Sequence, residues 1–329
     1  MKIAILTSKK RVEKYSDFNQ IPKDWNLVYI DKQYTDQEVL QTAGDADGLF
    51  VDAINPVSAY LIENMPNLKI IQSEGVAYDR YDMQAATKAG VYICNNSSAN
   101  SASVAEHTIM LMLALLRRLL EGHDMVINGQ QIQAKESFIL DGIKELSSCH
   151  IGLIGFGAIG KETAKRLRAF DCQVSYYTPK QKNREIEEQY QACYLPLDQL
   201  VKQSDIISLH LPVLPSTTGM VNDTFLHMMK KTALLINTAR GEIIDQKALA
   251  EALNQGQIAG AAIDTLFPEP ATLNNPLLNL TEAAKAKIIF TPHIAGTTNN
   301  VFYKMYQNSW NNMNLVSEGK RPQNIVNGL

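Results

Sequence analysis

Three side chains with complementary chemistry stand just past apolar runs in the second half of the chain. They are Arg240 after Leu234-Leu-Ile-Asn237, Glu269 after Ala261-Ala-Ile-Asp264, and His293 after Ile288-Ile-Phe290. Arginine offers a planar fork of N–H donors that matches a carboxylate and a neighbouring ketone oxygen. Histidine exchanges a proton near neutral pH, and a glutamate on its other ring nitrogen orients the ring. Such a set suits the addition of a hydride and a proton across a carbonyl next to a carboxylate, provided a hydride donor binds beside it. Any one of these residues alone is more often an ion pair or a helix cap. Their weight comes from standing at strand ends, because in an open parallel sheet the ligand crevice lies outside the carboxyl ends of the strands.

The hydride donor has its own signal. His150-Ile-Gly-Leu-Ile-Gly-Phe-Gly-Ala-Ile-Gly160 is an apolar strand running into Gly155, Gly157 and Gly160, followed by a helical pattern from Lys161 to Phe170. The first glycine permits a tight turn, the second lets a pyrophosphate approach the backbone, and the third lets helix and strand pack closely; the helix N-terminus adds amide donors. The next strand ends at Val174-Ser-Tyr-Tyr-Thr178, where an enzyme selective for NAD places an acid on the ribose, about 20 residues on from the glycines. Thr178 stands there instead, followed by Lys180, Lys182 and Arg184. Two readings follow: the cations receive a 2′-phosphate, or they form a solvated loop balanced by Glu185, Glu187 and Glu188. The first is favoured and makes NADPH the expected cofactor, with NADH the alternative.

The elements that must position these groups alternate in the rhythm of a parallel α/β sheet. Lys2 to Leu6, Leu27 to Ile30, Gly48 to Val51, Leu68 to Gln72 and Val91 to Cys94 are strand-like, with amphipathic stretches between them. The small polar stretch Asn95 to Ser101 breaks the series near residue 100 and places a domain crossing there. A helix follows from Val104 to about Leu120, apolar on nearly every face through Ile109 to Leu116, so it must be covered. A second series comprises His150 to Ile154, Gln173 to Tyr177, Ile206 to His210, Ala233 to Asn237, Ala259 to Asp264 and Lys287 to Thr291. Asp245 is placed to cap a helix over Gln246 to Asn254, and Gly256 to end it. The halves share a rhythm without a repeated sequence.

Composition bounds the rest. A chain of 329 residues, 45% hydrophobic and 20% charged, has material for two domains, since single cores rarely grow beyond about 250 residues. A formal charge of −3 with dispersed Lys and Arg offers no footprint for nucleic acid and points to a small-molecule partner. Cys94, Cys149, Cys172 and Cys193 are widely spaced, which suggests neither a zinc site nor a disulfide framework and fits reduced thiols in the cytoplasm. The start, Met-Lys followed by Ile3-Ala-Ile-Leu6, reads as a buried strand rather than an export signal. The most apolar run is too short to span a membrane.

These segments resemble the D-isomer-specific 2-hydroxyacid dehydrogenase family, NAD(P)-dependent 2-oxo acid reductases. The resemblance is essentially end to end. It is carried by Gly152 to Gly160, Val104-Ala-Glu-His107, Asp205-Ile-Ile-Ser-Leu-His-Leu-Pro212, Ile236-Asn-Thr-Ala-Arg-Gly-Glu242, Asp264 to Pro270 and Thr291-Pro-His-Ile-Ala-Gly296. It implies two doubly wound parallel-sheet domains with a cleft between them. A flavodoxin-like substrate domain spans residues 1–100 plus 297–329, and a Rossmann dinucleotide-binding domain spans 101–296. It implies reduction of a 2-oxo acid to the (R)-2-hydroxy acid, with His293 as acid/base, Glu269 assisting and Arg240 binding substrate. Cofactor contacts are implied for Ser103, Ala158, Ile159, His210, Pro212, Thr238, Ala239, Asp264 and Gly296 beside the glycines, Thr178 and Lys180, with Asp264 on the nicotinamide carboxamide. Ser73-Glu-Gly-Val-Ala-Tyr-Asp79 resembles the family's substrate loop, which points to the amides of Val76 and Ala77, with Ala77 where the family has glycine. Domain closure would exclude water. A homodimer built on the 104–120 helix and a polar arm, Asp124 to Ser148, is also implied.

The non-enzymatic alternative is a dinucleotide-sensing corepressor of the same fold, whose long polar extensions this chain lacks. Phosphoglycerate oxidation is disfavoured because no regulatory domain follows residue 329, and formate oxidation because that branch pairs its histidine with glutamine. The substrate side chain stays open between bulky apolar 2-oxo acids, favoured because the first-domain loop offers no cation for a second acid group, and glyoxylate or hydroxypyruvate.

Overall fold

A computed structural model describes residues 1–30 and 33–329. The chain divides into two compact units, Met1–Asn100 with Thr297–Leu329, and Ser101–Gly296.

The first unit is built on β1 (Lys2–Leu6), β2 (Asn26–Tyr29), β3 (Gly48–Val51), β4 (Ile70–Ser73) and β5 (Tyr92–Cys94), all parallel in the order β2-β1-β3-β4-β5. Its central strands are buried along nearly their whole length, as expected where helices cover both faces of a parallel sheet. The C-terminal helix Asn299–Ser317 returns to this unit. There Trp310 and Tyr306 pack edge-on against Phe50, and Asn312 bonds to Gln72 at 2.9 Å.

The second unit carries β6 (His150–Ile154), β7 (Gln173–Tyr177), β8 (Ala192–Tyr194), β9 (Ile206–Leu209), β10 (Leu234–Asn237), β11 (Gly260–Ile263) and β12 (Ile288–Phe290). All seven are parallel, ordered β12-β11-β10-β9-β6-β7-β8. The strand order reverses between β6 and β9, which is the topological switch point where doubly wound sheets open their ligand crevice. The two doubly wound sheets match the expected fold class. Asp245 caps Gln246–Asn254 by accepting from the Lys247 and Ala248 amides at 3.0 and 3.1 Å, and Gly256 follows at φ +66°.

Several strands differ from expectation by one or two residues at an end, and three helical segments differ by more. The helix after the crossing is Ser101–Leu116, not Val104 to Leu120. It breaks at Arg118, which adopts φ +48° while its guanidinium bonds Glu121 at 2.7 and 2.5 Å and Asp141 at 2.5 Å and lies over the Phe138 ring. The apolar pattern runs on through Leu119 and Leu120, so periodicity hides this break. The expected polar arm is two helices, Leu119–Ile127 and Gln131–Asp141. The helix after β6 starts at Ala158, directly after Gly157, not at Lys161. Among the described residues, no helix is long and apolar enough to cross a membrane.

Candidate active site

The turn after β6 gives each glycine a distinct steric reason. Gly155 sits at φ +100°, and a Cβ there would lie 2.2 Å from the His210 carbonyl oxygen. A Cβ on Gly160 would lie 2.4 Å from the Gly155 oxygen, whereas Gly157 faces open space. Close contacts at the outer glycines and a clear approach at the middle one are what a phosphate-binding turn needs. No side chain caps the helix that follows, so Ala158, Ile159 and Gly160 carry first-turn amides that an anion can receive. These features fit a dinucleotide pyrophosphate.

Past β7, Thr178 is buried and donates its hydroxyl proton to the Lys180 carbonyl at 2.8 Å. The Lys182 amide donates to Tyr176 Oη at 2.9 Å, and Tyr176 Oη donates to Glu187 at 2.8 Å. Gln181 also bonds to Glu187, and Arg184 pairs with Glu188. Among the described residues, neither Lys180 nor Lys182 has a carboxylate partner. The expectation of a charge-balanced loop therefore holds for Arg184 alone.

The remaining residues gather at the carboxyl edge of β9 to β12. His210 and Pro212 follow β9, where Ser208 Oγ lies 3.0 Å from His210 Nε2. Burial holds the His210 imidazole down to about 4, so it stays neutral at physiological pH. Thr238, Ala239 and Arg240 follow β10. Asn237 shapes this turn, accepting from the Ala239 amide at 3.0 Å and donating to the Arg240 carbonyl at 2.8 Å. Arg240 Nη1 donates to the Ala239 carbonyl at 2.7 Å, and no carboxylate among the described residues pairs with its guanidinium.

Asp264, buried at the end of β11, accepts from Thr291 Oγ1 at 2.5 Å and from the Ile294 and Ala295 amides at 3.0 Å each. It thereby ties down the turn that bears His293. That histidine sits in the left-handed region at φ +55°, its amide donating to the carbonyls of Asp264 and Thr291 at 2.9 and 3.0 Å. Left-handed backbone is uncommon for residues other than glycine, though less so for histidine than for most, and these bonds hold it. His293 Nδ1 lies 2.8 Å from both Glu269 oxygens, so the structure brings Glu269 and His293 together and leaves Nε2 as the free ring nitrogen. The loop bearing Glu269 is fixed by Gln246 and Asn275, which bond the Phe267 backbone. It also presses on Arg240's neighbour, since a Cβ on Gly241 would lie 2.4 Å from the Leu266 carbonyl carbon. Ser103 donates to the Ala295 carbonyl at 2.8 Å, and Gly296 ends this unit.

In the first unit, the loop after β4 has its carbonyls occupied. Gly75, Val76 and Ala77 oxygens accept from the Asn96 amide at 2.8 Å, Asn95 Nδ2 at 2.7 Å and Ser73 Oγ at 2.7 Å. The Val76 and Ala77 amides have no acceptor among the described residues, although backbone donors that are partly covered are normally paired. Ala77 is not at positive φ, so its methyl group costs no backbone strain.

The expected set overlooked residues that shape the turns without facing the ligand crevice: Asn237, Gln246, Asn275, Thr291 and His107. Asn237, Thr291 and His107 lay inside the segments that carry the family resemblance and Gln246 opened the helix expected after Asp245, but the bonds of Gln246 and Asn275 to residue 267 had no local signal.

An α/β sheet with a dinucleotide-type glycine turn and a histidine–carboxylate pair beyond the carboxyl ends of its strands defines a nicotinamide-dependent oxidoreductase. The family model described as D-isomer specific 2-hydroxyacid dehydrogenase, NAD binding domain, matches residues 109–295. A glyoxylate reductase of Thermofilum pendens is 36% identical over 298 residues, 88% of this chain and 84% of that protein. A glyoxylate reductase of Pyrococcus furiosus is 31% identical over 99% of this chain and 91% of its own length. The NAD-complexed D-isomer specific 2-hydroxyacid dehydrogenase of Lactobacillus delbrueckii ssp. bulgaricus superposes with a TM-score of 0.81 at 28% identity, covering 99% of this chain and 100% of that one. The chain belongs to the D-isomer specific 2-hydroxyacid dehydrogenase family and is an NAD(P)-dependent oxidoreductase.

Proposed function

We propose that this protein reduces a 2-oxo acid to the 2-hydroxy acid, of (R) configuration where the product is chiral, with glyoxylate and hydroxypyruvate its leading substrates. The observation that carries this reading is His293 Nδ1 held by both Glu269 oxygens at 2.8 Å, on the same strand edge as a guanidinium with no acidic partner among the described residues. The relatives named glyoxylate reductase shift the weight from bulky apolar acids to small ones.

The coenzyme, held by the 155–160 turn and Asp264, supplies the hydride when bound. Arg240 receives the substrate carboxylate and carbonyl. His293 donates the Nε2 proton to the carbonyl oxygen as its carbon accepts the hydride. Glu269 keeps the Nδ1 proton in place, so the ring ends neutral and in one tautomer. Three acceptor contacts on Asp264 leave room on Oδ2 for one more donor, the carboxamide.

NADPH is the preferred coenzyme in this reading, supported by Thr178 in place of an acid and by Lys180 and Lys182, which have no carboxylate partner among the described residues. Large apolar side chains stand exposed on the 119–141 helices, among them Ile127 at 69%, Ile132 at 67% and Leu140 at 84%. A homodimer would cover them, and a monomer in light scattering removes that part. The four free cysteines suit a reducing cytoplasm. The deciding experiment is a matrix of 2-oxo acids against NADPH and NADH, with His293→Gln alongside. The expected result is fastest turnover of glyoxylate or hydroxypyruvate with NADPH and a severe kcat loss in the variant. Wild-type kcat in that variant removes the acid assignment, and coenzyme binding without turnover of any 2-oxo acid removes the activity.

A further inference from the structure

The helix Ser101–Leu116 is mostly apolar, yet one polar stripe faces the strand-end turns. Ser103 bonds to the Ala295 carbonyl, His107 to Thr291 at 3.0 Å, and Thr108 to Thr238 at 2.9 Å. The middle contact has a fixed direction. Asp264 already accepts two amides, and Thr291 Oγ1 is 2.5 Å from its Oδ1, so the hydroxyl proton of Thr291 goes to that carboxylate. Thr291 Oγ1 then has only lone pairs to offer, and His107 Nε2 must be the donor. The chain runs one way, from His107 Nε2–H to Thr291 Oγ1–H to Asp264 Oδ1, and polarisation along such a chain strengthens each bond. It ends on the residue that holds the 291–295 turn, where His293 sits in its left-handed conformation.

We propose that His107 is a positioning residue for the reaction: by donating from Nε2 to Thr291, it fixes the Thr291–Asp264 pair and so the placement of His293. Its ring lies beside the Asp264 carboxylate, 3.6 Å from Oδ1, yet burial is the largest influence on it and lowers its pKa. The neutral Nε2–H tautomer therefore suffices for the role. The inference rests on the reading of His293 as the proton donor.

The test compares His107→Phe, His107→Gln, Thr291→Val and the His107→Phe/Thr291→Val pair, using the fastest substrate of the 2-oxo acid matrix. Phenylalanine removes the donor, and a misplaced catalytic group costs up to about 10²-fold, so kcat should fall by that order with KM little changed. Glutamine carries an amide N–H at similar reach and should restore most of the rate. The double variant should be no slower than Thr291→Val alone, because both changes cut one chain. A phenylalanine variant with wild-type kcat, a glutamine variant as slow as phenylalanine, or a double variant with multiplied losses each overturns the proposal. If His293→Gln loses activity while His107→Phe does not, only this inference fails; if His293→Gln keeps its kcat, the acid assignment beneath it fails.

Discussion

Arg240 gives the sharpest quantitative test. One of its N–H groups goes to the Ala239 carbonyl at 2.7 Å, and the others are left to a ligand. No acid among the described residues pairs with it, so its charge is left for a ligand. A hydrogen bond to a charged group contributes about 1.5–3 kcal/mol, so losing a two-bond fork in Arg240→Met costs about 3–6 kcal/mol, or about 10²–10⁴-fold in kcat/KM. Arg240→Lys keeps the charge but not the fork, and loses about 1.5–3 kcal/mol, or about 10–10²-fold. The assay is steady-state reduction followed by loss of nicotinamide absorbance, with thermal unfolding as the control. Because Arg240 has no ion pair to break, Tm should stay put in both variants. Wild-type kcat/KM in Arg240→Met, or a lysine variant as poor as methionine, would refute the role of the fork.

Three further outcomes are expected. Lys180→Ser with Lys182→Ser should lower kcat/KM for NADPH by at least about 10-fold, one charged contact's worth, and leave NADH kinetics unchanged; an equal loss with both coenzymes argues against a 2′-phosphate site. Gly241→Ala forces a Cβ to within 2.4 Å of the Leu266 carbonyl carbon, backbone that cannot swing away, and should cost about 1–3 kcal/mol in urea unfolding. The His210 imidazole, held down to about 4 from 6.5 by burial, stays unprotonated in the fold over a range where the unfolded chain takes up a proton. Its contribution to stability is complete above 6.5 and is lost as pH falls from 6.5 towards 4, by up to about 3 kcal/mol. His210→Gln should flatten that part of the stability profile, though not wholly, since burial lowers His107 and His150 in the same direction.

Much of this was legible because parallel strands covered on both faces must be apolar throughout. Lys2–Leu6, Gly48–Val51, His150–Ile154 and Gln173–Tyr177 occupy their expected spans. Where strands end, the chemistry begins, so the positions of Arg240 and His293 could be read from the same runs. What stayed hidden depends on side chains meeting across distance. The break at Arg118 needs Glu121 and Asp141 to receive the guanidinium, and no periodicity records that. Strand β8 is three residues long and takes its place from pairing with β7. Nothing around His107 marks it as the donor to Thr291, 184 residues away.

The loop beyond β7 separates two tasks. Beneath it, Phe156 stacks on Tyr176 at 4.3 Å, and Tyr176 Oη holds the Lys182 amide, so the backbone path is set by the interior. The ammonium groups of Lys180 and Lys182 take no part in that support. On the proposed reading of these cations as a 2′-phosphate site, substitution there would alter which reducing currency the enzyme draws on without disturbing the sheet, the glycine turn or the acid–base pair. On that reading, descent within the family would move this protein between the cell's two nicotinamide pools by a few surface changes, at little risk to folding.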